Sequence, residues 1–218
     1  MKSIARRAPL AFALIAAVLA VTAGQTEGKD AIEGWQLASR YTARAGLPFL
    51  LIAFVASSLA KLAPSALTGF ILSQRRWWGL GFAVTHTVHL YCFIKYYELL
   101  AQSVPVAAAI VGGGAYVALF VMTATSFDAA QRELGVNWKR LHKVGIYWLW
   151  AVFTISYGSK AITGAEPLIS IPAVVALLAA FGLRMIVWRQ EREAQAAKLR
   201  RRSARRRKRN SPKSELQL

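Results

Sequence analysis

WWGLGFAVTHTVHLYCFIKYYELL, residues 77–100, decides what kind of protein this is. It is long and apolar enough for a hydrocarbon core, which takes about 20 residues of helix to cross. It also holds two of the chain's three histidines, His86 and His89. On a helix advancing about 100° per residue, Thr85, His86, His89, Cys92, Phe93 and Tyr96 form one stripe. Polar side chains in a membrane span are costly and turn toward the bundle interior or a cofactor. Two readings of the histidines follow: ordinary polar residues of a packed bundle, or groups that carry chemistry.

Five further runs resemble this one in length, at 8–24, 44–62, 104–124, 142–159 and 167–188. Lys61 and Pro64 interrupt the region after the second, so 61–76 reads as an interfacial stretch. The segments 25–43 and 126–141 read as polar connections. Hydrophobic residues make up 56% of the 218, yet the formal net charge is +18, so apolar and basic residues must be segregated along the chain. The expected fold is all-α, an integral membrane bundle of six helices.

Charge sets the expected orientation. With six crossings and the N-terminus inside, the inner side collects Lys2, Arg6, Arg7, Lys61, Arg75, Arg76, Arg132, Lys139, Arg140, Lys143, Arg184 and the tail from Arg189. That is 23 of the 28 lysines and arginines. Cytoplasmic loops carry such an excess in membrane proteins, so both termini are expected in the cytoplasm. Residues 1–24 then form a first transmembrane helix, an uncleaved signal anchor, rather than a cleaved signal peptide. The tail, 189–218, is expected to be largely disordered beyond a helical extension through Leu199. Its run RRRSARRRKR, 200–209, reads as a contact for anionic lipid headgroups, at about 1 kcal/mol per basic residue near the surface, and not for nucleic acid.

Cys92 is the only cysteine, which excludes an intrachain disulfide, thiolate clusters and covalently attached c-type haem. No Gly-rich phosphate loop, nucleophile elbow or HExxH motif occurs. The third histidine, His142, follows Lys139 and Arg140 and lies near the inner interface. In VGGGAY, 111–116, the glycines either permit close helix approach or leave room for a flat cofactor.

Two stretches carry a resemblance. RRWWGLGFAVTHTVHL, 75–90, and TSFDAAQRELGVNWKRLHKVGIY, 125–147, resemble the third helix and the loop and fifth helix of bacterial ferric-reductase-like transmembrane proteins. Within that family the similarity is to haem-binding membrane subunits of the periplasmic methionine-sulfoxide reductase system, and it covers roughly residues 42–188. The resemblance implies a six-helix bundle holding haem b between helices. It implies an electron donor on the inner side, a quinone or a flavoprotein, and a periplasmic redox partner, with no flavin in this chain. His89 matches the family's third-helix haem ligand and His142 the histidine opening its fifth helix. The second fifth-helix histidine is missing, for its positions read Ile155, Ser156 and Tyr157. His86 has no counterpart in the motif.

Depth sharpens this loss. At 1.5 Å per residue, His89 lies about 18 Å past Trp77 and His142 within about 3 Å of the inner interface. A shared iron is therefore not expected. His89 or His86 as sole axial ligand, with the sixth position open or filled by Tyr157 or Met122, remains, as does an inner haem on His142. Three functions stay open at this level: a haem b electron-transfer subunit, a haem-free scaffold or partner subunit, and a transporter using His86 and His89 as a proton relay. The last lacks a sequence repeat and acidic residues deep in the spans.

Overall fold

The apolar runs become helices, and so does much of the polar sequence between them. The computed structural model describes residues 2–210, with side chains from Arg7 to Ala204. Seven helices follow one another: α1 (Lys2–Glu27), α2 (Ala31–Leu62), α3 (Ala66–Ser73), α4 (Arg75–Leu100), α5 (Val106–Ala124), α6 (Asp128–Ile162) and α7 (Pro167–Asn210), with no strand among the described residues. Four of them, α1, α2, α5 and α7, are long and apolar enough to cross a membrane. Helices α4 and α6 have the length, 26 and 35 residues, but carry the three histidines and more charge. Large side chains such as Leu19, Ile110 and Leu168, 63%, 68% and 91% exposed, point outward. Apolar surface of this kind belongs in lipid, where outward-facing side chains lose nothing. The chain is a multi-pass membrane protein.

Helix α2 is the centre of the bundle and packs against α1, α4 and α7. Its Phe49, Leu50 and Phe54 meet Phe82 and Ala83 of α4, Ile146, Leu149 and Phe153 of α6, and Leu177 of α7 in one apolar core. The α1–α2 crossing is tight because glycines line it. A Cβ on Gly24 would strike the backbone of Ala38, and one on Gly28 the backbone of Gly34.

The two expected polar connections are mostly helix. Asp30 accepts a hydrogen bond from the Glu33 amide at 2.8 Å and Glu33 accepts one from the Lys29 amide at 3.0 Å, so α2 starts at Ala31. Its first turns are polar because they face another helix: the Gln36 amide donates to the Tyr96 hydroxyl at 3.2 Å. Helix α6 begins at Asp128 and breaks at Gly135, whose φ of 49° suits a residue without Cβ. The Trp138 indole, donating to the Thr125 carbonyl at 2.8 Å, ties the segment just after the break to α5's end.

At the other end of the chain, α7 runs on to Asn210, past the expected limit at Leu199. The alanine, glutamine, lysine and arginine there are strong helix formers. The expectation of disorder for 211–218 falls outside the described residues.

Charges gather at two ends. Glu166, in the α6–α7 connection, pairs with Arg44 of α2, with Lys160 of α6 at 3.0 Å and with Arg40 at 3.9 Å. About 17 residues further along α2, some 26 Å at the helical rise, Lys61 pairs with Glu191 of α7. The Arg44 hydrogen bond, aided by Lys160, holds the Glu166 carboxyl down to about 2, from an ordinary value of 4.5. A carboxyl with a depressed folded-state pKa stabilises the fold above its unfolded pKa and stops doing so as the pH falls through the folded one. Glu166→Gln is therefore expected to lower the unfolding temperature at pH 7, with the gap to the parent closing between pH of about 4.5 and about 2. Circular dichroism melts in detergent across that range measure it. A gap independent of pH would deny the carboxylate's charge any part.

Candidate functional site

The polar stripe of α4 faces inward. Thr85, His86 and Cys92 are buried, and Thr85 and His86 press against α2 where Gly46 has no side chain. A Cβ at Gly46 would stand 2.6 Å from His86 Nδ1 and 3.0 Å from Thr85 Oγ1, so only glycine lets this seam close. The His86 ring stacks on Phe82, with centroids 4.2 Å apart, and lies 5.1 Å from Phe153 of α6. Its Nδ1 is buried without a hydrogen-bond partner.

One turn on, His89 is held differently. Its Nδ1 lies 2.8 Å from the Ser39 carbonyl oxygen and 3.3 Å from the Ser39 hydroxyl. A carbonyl can only accept, so Nδ1 carries the hydrogen, and in the neutral ring Nε2 keeps its lone pair. An imidazole anchored to a backbone carbonyl through one nitrogen, with the other left free, is the usual disposition of a metal-ligating histidine.

Both imidazoles line a cavity of about 140 Å³ bounded by α2, α4, α5 and α6. From α5 come Gly112, Ala115, Tyr116 and Leu119; from α6 come Leu149, Val152, Phe153 and Ser156. The Tyr116 ring lies 6.3 Å from His86 and 6.5 Å from His89, and its hydroxyl is a second buried polar group without a partner. The glycine run makes no close helix approach, and of its three glycines Gly112 alone lines the cavity. A Cβ on Gly112 or Gly113 would meet nothing within 4 Å, and one on Gly114 only the Trp148 side chain. Helix α5 buries only Ala115 and Leu119.

The other candidates lie elsewhere. His142 lines a second cavity, with Met122 and several cations. Its ring stacks on Trp138, with centroids 4.2 Å apart, and its Nε2 is 3.1 Å from Thr125 Oγ1. The Thr125 hydroxyl donates to the Val121 carbonyl at 2.7 Å, so its oxygen accepts from His142 Nε2–H and that nitrogen is engaged. Tyr157 is buried beside Phe153 but lines neither cavity. Of Ile155, Ser156 and Tyr157, where the family's further histidine is expected, Ser156 alone lines the cavity of His86 and His89.

Sequence reasoning missed Ser39, Gly46 and Tyr116. Gly112 and Tyr116, four residues apart, share a helix face, and this spacing could have flagged Tyr116. Ser39 and Gly46 act across helices, and nothing local to them announces it.

Chemically, the cavity offers one free imidazole nitrogen, a second imidazole beside it, an unpaired phenol and a wall made flat by glycine. Among the described residues no group of three histidine, cysteine or carboxylate side chains could hold a metal ion. One or two imidazoles in an apolar slot are the protein's share of the ligand set when a porphyrin supplies the rest.

Comparison with known proteins agrees in kind. The chain is 31% identical over 160 residues to the protein-methionine-sulfoxide reductase heme-binding subunit MsrQ of Salmonella enteritidis, covering 68% of this chain and 76% of that protein. Against the MsrQ of Salmonella paratyphi B it is 32% identical over 151 residues, covering 64% and 72%. No family model matches, and no solved structure matches. At this identity, and with about three quarters of the relative's length covered, the chain belongs to the family of MsrQ haem-binding subunits.

Proposed function

We propose that this chain is a haem b electron-transfer subunit in the bacterial inner membrane, serving a methionine-sulfoxide reductase. The observation that carries the reading is His89: its Nδ1–H is held by the Ser39 carbonyl, and it lines a cavity together with His86 and with Tyr116, whose hydroxyl is buried and unpaired. Unpaired buried polar groups are rare in folded proteins because each costs about 1–3 kcal/mol. The Tyr116 hydroxyl at this apolar cavity suits a site shaped for something that arrives later.

Six crossings, by α1, α2, α4, α5, α6 and α7, put both termini in the cytoplasm under the positive-inside rule. Residues 1–24 form the first span, 42–188 the ferric-reductase-like domain and 189–218 the basic tail. The donor, a quinone or a flavoprotein, then meets the basic end, and the reductase the end marked by Arg44 and Glu166. Flavin belongs to the donor and not to this chain.

His89 would hold the iron through Nε2. Haem bound there supplies one-electron reduction and reoxidation. Ser39 fixes the ring's tautomer and direction, while Phe82 and Phe153 hold His86 beside it and exclude water. His142 is left out of this centre because it lines the other cavity and not that of His89. The cavity of about 140 Å³ is small for a tetrapyrrole, and α5, which buries only Ala115 and Leu119, is the wall that would give way on loading. Ser156 brings only a weakly ligating hydroxyl to the cavity, so His89 would be the strong ligand this chain offers.

His89→Ala is expected to cut haem content at least fivefold, measured as pyridine haemochrome on purified protein, while His142→Ala leaves it near the parent's. Equal retention in both would remove His89 from the reading. A second expectation concerns the absent histidine. Ser156→His should convert a high-spin, singly ligated spectrum into a low-spin, six-coordinate one and slow haem loss. An unchanged spectrum in a folded, haem-loaded variant would mean that residue 156 does not reach the iron.

A further inference from the structure

The second cavity is electropositive to a degree the haem reading does not use. It holds about 380 Å³ and is bounded by α2, α4, α5, α6 and α7. Arg75, Arg76, Lys139, Lys143 and Arg184 line it, and among the described residues no aspartate or glutamate does. Among the described residues only Arg76 of these has a carboxylate partner, Asp128 at 2.8 Å on the outside.

Arg75 and Arg184 are fixed, half-buried and paired with neutral groups. Arg75 donates from Nε to the Ala53 carbonyl at 2.9 Å and from a terminal nitrogen to Ser57 Oγ at 3.2 Å. Arg184 donates to the Phe54 carbonyl at 2.9 Å and to the Tyr147 hydroxyl at 3.2 Å, its guanidinium lying 4.4 Å from the Phe54 ring centroid. Each guanidinium has five N–H donors, so several remain unused. Holding like charges together out of water is unfavourable unless an anion joins them. Planar forks pre-oriented by backbone carbonyls match the oxygens of a phosphoryl group. Leu80, Met122 and Ile146 add an apolar wall beside the cations.

We propose that this cavity is a binding site for a phosphoryl anion, held by Arg75 and Arg184 with Lys139 and Lys143 at its mouth. A phospholipid headgroup of the basic leaflet and a soluble phosphate share that chemistry. Basic pockets between membrane helices on the cytoplasmic side take anionic headgroups in this way.

The test uses the full chain, parent and two variants: Lys139→Gln/Lys143→Gln, whose side chains are exposed and leave the fold intact, and Arg75→Gln. Each is titrated in mild detergent with phosphatidylglycerol, with net-neutral phosphatidylcholine, and separately with inorganic phosphate. Native mass spectrometry counts lipids retained per chain, and thermal shift reads phosphate. The tail is the same in all three proteins, so lipid bound to it cancels. The parent should retain one phosphatidylglycerol at least fivefold more tightly than phosphatidylcholine, and both variants should lose that preference. Stabilisation by inorganic phosphate in the parent alone, without lipid preference, supports the site and assigns it to a soluble phosphate. Parent and variants behaving alike toward both would overturn the proposal. So would a loss of haem in the variants with lipid and phosphate binding unchanged, which assigns the cations to haem carboxylates.

Discussion

A polar group inside a membrane helix has no water to turn to, so its partner must come from another helix. The seam between α2 and α4 is built on that constraint. Helix α4 carries Thr85, His86 and His89 into the bundle, and α2 receives them with a missing side chain at Gly46 and a carbonyl at Ser39. The Thr85 hydroxyl is satisfied within its own helix, donating to the Phe82 carbonyl at 2.9 Å. His89 is satisfied on one nitrogen only, and His86 Nδ1 not at all. The helices thus close tightly around a place where hydrogen bonding is left incomplete, and that incompleteness defines the site.

The helices were legible because six apolar runs of spanning length are hard to read in any other way. Their ends were not. Residues 31–43 and 128–141 look like loops when polarity is taken to mean contact with water. In the structure they are helix, because Gln36 and Ser39 spend their polarity on α4 and Trp138 spends its own on the end of α5. Of the site, the stripe on α4 followed from spacing alone. The partners did not, since Ser39 and His89 are 50 positions apart and nothing near either announces the other. Tyr157 drew attention as a phenol at the right point in α6, but one residue along a helix turns a side chain by about 100°, and Ser156 is the one that reaches the cavity.

Charge and chemistry are arranged along the same axis. Acidic and basic groups compensate one another around Glu166, whereas the far end gathers arginine and lysine around His142 with little compensation. His89 lies between these ends in apolar surroundings, where burial and the choice of axial ligand are the protein's main controls over a bound haem's potential.

The most direct measurement is the absorption spectrum of the detergent-purified parent protein, made with haem supplied, oxidised and then reduced with dithionite, with haem counted per chain. Close to one b-type haem per chain with a high-spin oxidised spectrum is the expected result. A folded, monodisperse protein with no haem signal would contradict the central claim and leave a haem-free membrane partner subunit in its place.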